Sequence, residues 1–155
     1  MKKLMLLFVL LIVLLPFARN GMAQDGQFGL GIIIGEPTGP CFKLWTSQRT
    51  AIDGAAAWSF AKNAGMHLHA DYLLHISDLV EVESGRLPLY YGIGGRIRFA
   101  EGDGDDNIGI RIPVGLEYLF ETMPLDIFFE IVPILDLAPD TDLDFNAALG
   151  MRYFF

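Results

Sequence analysis

Three histidines and one aspartate share a parity in a single short run. His67, His69, Asp71 and His75 alternate with Leu68, Ala70, Tyr72 and Leu74. On an extended strand, residues two apart point the same way. His67-x-His69-x-Asp71 could therefore offer two imidazoles and a carboxylate to one metal ion. The competing use is polar filling of an interior face in a hydrogen-bond network, and this is the expectation adopted. A second group is acidic: Glu101, Asp103, Asp105 and Asp106 crowd one Gly-rich segment, and Asp140 and Asp142 another. Hard carboxylates suit divalent cations, which are candidate partners there. The spacing lacks the twelve-residue calcium loop with its closing Glu, so solvated acidic loops are expected. No resident metal and no cofactor are expected. A lone cysteine, Cys41, excludes an internal disulfide scaffold and any Cys-rich zinc module.

The elements that would position these groups are strands. Beyond residue 23 no stretch sustains a 3.6-residue apolar period; period two dominates, cut by turn signals. The pattern predicts eight strands, over 28–35, 40–47, 51–60, 66–77, 87–99, 108–120, 125–136 and 143–155. The connectors GEPTG, SQRT, AKNAG, SDLVEVESGR, AEGDGDDN, ETMP and APDTDL are rich in turn-forming residues. Short connectors imply sequential antiparallel hairpins, an up-and-down meander. One domain follows, over residues 24–155. Pro88, Pro113 and Pro133 cannot donate to a ladder, so bulges or strand ends are expected there.

Alternation sorts these strands into two faces. One face is uncharged throughout, for example Ile108, Ile110, Ile112, Val114, Leu116, Tyr118 and Phe120. The other carries Lys43, Asp53, Asp71, Arg96, Arg98, Arg111, Glu117, Asp126, Glu130, Asp144 and Arg152, together with many Gly and Ala. A soluble barrel turns its charged face to water; an outer-membrane barrel turns its apolar face to lipid and its polar face to the lumen. Three features favour the second. The apolar face has no charge. Trp58, Phe60, Phe99, Tyr118, Phe120 and Tyr153 stand at its ends, as an interfacial girdle requires. The five bases and six acids of the polar face nearly cancel, which a dry lumen needs because an unpaired buried charge costs several kcal/mol. A sheet in hydrocarbon must close, and eight strands leave an interior that side chains can fill. The fold class expected is all-β: a closed eight-stranded antiparallel up-and-down transmembrane barrel. The charges would form a plug, with a selectivity filter as the alternative use.

Residues 1–23 have the layout of a secretory signal peptide. Lys2 and Lys3 precede an apolar run from Leu4 to Leu15, Pro16 ends it, and Gly21-Met22-Ala23 supplies small residues for cleavage. That run is too short to span a bilayer as a helix, which takes about 20 apolar residues. The whole chain carries a net charge of −8, and losing Lys2, Lys3 and Arg19 would take it to −11. Such acidity speaks against nucleic acid as a partner.

The final residues, Ala148 to Phe155, resemble the C-terminal assembly signal of bacterial outer-membrane barrels. Gly150, Tyr153 and Phe155 match its pattern, and Ala148 departs at the polar position. With the signal peptide and strand count, the chain resembles the small OmpA/OmpX-type barrels over its mature length. The resemblance implies the barrel-assembly machinery as a transient partner and outer-membrane lipid as the permanent one. It carries no catalytic residues. It also implies both chain ends in the periplasm, with GEPTG, AKNAG, AEGDGDDN and APDTDL facing outward. His75-Ile76-Ser77 resembles the His-x-Ser of outer-membrane lipid A deacylases, where His activates a Ser nucleophile. Its place mid-chain and at the periplasmic end differs from those enzymes. The expectation is a monomeric outer-membrane protein of a Gram-negative bacterium with a structural, surface-interaction or adhesion-type role, and no enzyme. Alternatives are a narrow pore for ions or small solutes, a lipid A-modifying enzyme, and a secreted lipocalin-like barrel.

Overall fold

The computed structural model describes residues 26–60 and 65–155. The signal segment 1–23, and the AKNAG turn but for Gly65, lie outside the described residues.

Every described element is a strand or a connector. The strands are β1 (Phe28–Gly35), β2 (Gly39–Trp45), β3 (Thr50–Ser59), β4 (Gly65–Ile76), β5 (Leu89–Ala100), β6 (Asn107–Arg111), β7 (Val114–Leu119), β8 (Leu125–Ala138) and β9 (Asp142–Phe154). Each pairs antiparallel with its sequence neighbour around the ring, with β6 and β7 sharing one position between β5 and β8. Pairing of β1 with β9, from Gly29↔Phe154 to Gly35↔Ala148, closes the sheet. The architecture is therefore a closed eight-position up-and-down barrel. The turns 46–49, 77–88 and 120–124 and both described chain ends gather at one rim, the terminal end. The β1–β2, β5–β6 and β8–β9 connections gather at the other, the loop end.

The predicted single strand over 108–120 is corrected to two. Ile112 and Pro113 interrupt it, and Pro113 has no N–H to give. Its carbonyl still accepts from the Gly92 N–H at 2.9 Å, so the two halves stay in line. Pro133 was expected to mark a bulge or strand end; instead β8 runs through it, with Pro133 opposite Phe145. The Pro133 carbonyl accepts from the Ile112 N–H at 3.0 Å, so its missing donor faces the same break. Two prolines thus share one interruption. Pro88 falls just before β5 begins.

Burial follows the strand period. Along β4, Gly65, His67, His69, Asp71, Leu73 and His75 are buried, while Ala70 and Tyr72 are exposed. The outward face presents large apolar side chains, among them Ile32, Ile93, Ile112, Phe129 and Leu149, and no charge. Aromatics mark both rims. Trp58 and Phe99 flank Met66 in register near the loop end. Tyr118 packs edge-on against Phe120, and Tyr153 against Phe155, at the terminal end.

Interior glycines make room for large neighbours. A Cβ on Gly94 would lie 1.9 Å from Asp71 Oδ1, and one on Gly150 would lie 2.2 Å from the Phe128 ring. The lumen is packed like a protein core.

Candidate functional site

The interior charges form three tiers, ordered along the strands. At the terminal end, Lys43 Nζ donates to both Glu117 oxygens at 2.5 and 2.6 Å. Arg152 Nη2 reaches Glu117 Oε1 at 2.9 Å, its Nε donates to Asp126 Oδ2 at 2.9 Å, and its Nη1 reaches Asp53 Oδ2 at 3.4 Å. His75 completes this tier. Its Nδ1 lies 3.3 Å from the Arg49 carbonyl and its Nε2 lies 2.8 Å from Lys43 Nζ. Nε2 also lies 3.2 Å from Glu117 Oε2, so the imidazole touches both partners of the Lys43–Glu117 pair. Aromatic faces cover both cations: Lys43 Nζ lies 4.0 Å from the Trp45 ring centroid, and the Arg152 guanidinium carbon lies 4.0 Å from that of Phe128.

At mid-height, Arg111 Nε donates to both Asp71 oxygens at 3.0 Å, and its Nη2 lies 3.5 Å from Glu130 Oε1. The Tyr90 hydroxyl donates to Glu130 at 3.1 Å. Towards the loop end, Arg96 grips Asp136 with two bonds, 3.0 and 2.6 Å, and reaches Asp144 at 3.0 Å. That paired geometry is the strong form of a guanidinium–carboxylate contact.

All eleven charges predicted for the polar face project inward. Ten of them are brought into ion pairs. Arg98 is the other: buried, and in no ion pair among the described residues. Sequence reasoning missed Asp136, which takes the strongest bond to Arg96; its parity with Asp126 and Glu130 was the available signal. Tyr90, buried on the same inward face, is a further member of the site, with no charge to mark it in the sequence.

The alternative use of His67, His69 and Asp71 as metal ligands finds no assembled site. Asp71 is turned to Arg111, while His67 and His69 pack edge-on with ring centroids 5.6 Å apart. Among the described residues no group of three or more His, Cys, Asp or Glu is placed to hold a metal. Glu101, Asp103, Asp105, Asp106 and Asp140 are exposed loop residues, and Asp142 is exposed at the first position of β9. Ser77 lies just past the end of β4, and the His75 nitrogens are directed to Lys43 and Arg49 rather than to it. The three residues of the C-terminal motif divide by face. Gly150 is inward beneath Phe128, and Tyr153 and Phe155 are exposed.

A closed antiparallel meander with a charged interior and an apolar exterior defines the class: a small eight-stranded β-barrel. Among solved structures the chain is similar to the N-terminal β-barrel domain of Pseudomonas aeruginosa OprF. The TM-score is 0.61 at 13% identity, over 84% of this chain and 98% of that domain. At that identity the likeness carries the fold alone. No family model matches the chain, and no curated protein matches it in sequence.

Proposed function

We propose that the chain is an integral outer-membrane barrel protein of a Gram-negative bacterium, with a structural or surface-interaction role and a plugged lumen. The observation that carries this reading is the inverted polarity of the barrel. Lys43, Arg111, Glu117 and Asp126 are fully buried, while Ile34, Ile93, Phe145 and Leu149 stand more than half exposed. In water that arrangement would leave a continuous apolar surface uncovered and confine the charges to the core. In a bilayer the apolar belt is solvated by acyl chains, and ring closure satisfies the backbone. A lipocalin-like barrel would instead keep its interior apolar. The role assigned involves no catalysis and no resident cofactor, and its partners are lipid and, during assembly, the barrel-assembly machinery.

Two measurements test it. Membrane fractionation should recover the protein with the outer membrane. The folded form should migrate differently from the boiled form on a gel. A soluble periplasmic protein, or a single band insensitive to heating, would refute the proposal. The pore reading is disfavoured because the charged side chains at two tiers are shielded almost completely from solvent.

A further inference from the structure

The loop end holds a feature that neither plug nor pore uses. A cavity of about 580 Å³ opens there, its walls including Arg98, Asp105, Asp136, Asp140, Asp142 and Asp144. That volume falls within the range of small-ligand sites. Among the described residues, two sets of groups around it lack counterparts. Arg98 is 8% exposed, and among the described residues its guanidinium makes no ion pair and no hydrogen bond, whereas Lys43, Arg96, Arg111 and Arg152 each hold a carboxylate. The Arg98 side chain lines the cavity wall, where an anion entering the vestibule can meet it. Beside it His67, its register partner on β4, is 1% exposed with neither ring nitrogen hydrogen-bonded. Above them Asp105, Asp140 and Asp142 are exposed and form no ion pair among the described residues, while Asp136 and Asp144 share Arg96.

The buried side of the cavity therefore asks for an anion and the rim asks for cations. A divalent cation alone would leave Arg98 unmatched. A simple anion would have to pass the acidic rim. A molecule carrying one carboxylate and more than one amine satisfies both, since guanidinium pairs with carboxylate in a planar two-bond geometry. We propose that this vestibule binds a small cationic zwitterion of the lysine type, its carboxylate on Arg98 and its amines towards Asp140 and Asp142. The proposal rests on the barrel geometry and not on whether the lumen below conducts.

Calorimetric titration of the full chain, folded in detergent micelles, tests it with L-lysine and with cadaverine, which keeps both amines and lacks the carboxylate. L-lysine should bind at least tenfold more tightly than cadaverine. Arg98→Gln should abolish that preference. Asp140→Asn combined with Asp142→Asn should weaken both probes several-fold and leave the preference intact. Equal affinities for the two probes, a preference that survives Arg98→Gln, no binding of either, or calcium displacing L-lysine at lower concentration would each overturn the proposal. Should Arg98→Gln fail to give the heat-shifted folded band, the two-probe comparison on the unaltered protein and the loop variant still decide the matter.

Discussion

Glu117 is the hinge of the terminal tier, because it answers two cations at once. Lys43 and Arg152 both donate to it, and all three side chains are almost completely buried. Removing its charge strands buried Lys43 and leaves Arg152 with Asp126 and Asp53. Breaking a buried pair from one side costs about 3–5 kcal/mol, whereas replacing both partners by apolar side chains of similar volume is often neutral. Glu117→Gln is therefore expected to destabilise the barrel by about that amount in urea-titrated folding into lipid vesicles. Lys43→Met with Glu117→Leu should recover most of the loss. A single substitution costing under about 1 kcal/mol would mean that water reaches the tier. Residue facing was legible from alternation, but this partnership was not. Lys43 and Glu117 are 74 residues apart and meet only across the closed lumen, at a stagger that no strand pattern encodes.

At the scale of the element, each strand's parity was readable because a one-residue slip would move its whole apolar set to the other face. The exceptions are physical. Pro113 ends β6 and opens β7 because the ladder loses a donor there, and Pro133 passes through β8 because its own missing donor meets that same gap. From sequence the two prolines look like separate interruptions; only the β6–β8 register makes them one. Asp136 keeps the parity of Asp126 and Glu130 along β8 and was legible by alternation; its partner Arg96 on β5 was not, because the two meet only across the lumen. Ile112 sits at the break, exposed and midway along its ring position, so it tests the outward face directly. Ile112→Arg should lower folding free energy in vesicles by about 2–4 kcal/mol, and Ile108→Arg, near the rim, by about 0–1 kcal/mol. Equal and negligible costs would mean that this face does not meet lipid.

For the molecule as a whole, the open question is what the closed lumen does, and the tiers answer it in series. Lys43, Glu117 and Asp126 have no exposed surface in the terminal tier, and at mid-height Arg111 has none and Asp71 is 2% exposed. In the proposed plug, the two layers act in series along one axis, so opening either alone should leave the path blocked. Truncating one tier also leaves its neighbour fully paired, because the main links run within tiers: Lys43 with Glu117, Arg152 with Asp126, Arg111 with Asp71. In planar bilayers the unaltered protein should show no sustained single-channel conductance. Arg111→Ala with Asp71→Ala should remain closed, and so should Lys43→Ala with Glu117→Ala. Combining the four substitutions should yield steady openings, an effect absent from either pair alone. Each paired truncation removes one cation and one anion together; Arg152 keeps Asp126 and Asp53, and Glu130 keeps the Tyr90 hydroxyl, so the barrel should still fold and migrate as the heat-sensitive form. A single pair that conducts would show that one tier alone seals the lumen. Steady conductance of the unaltered protein would replace the plug with a pore, and the charged tiers would then have to be read as a filter.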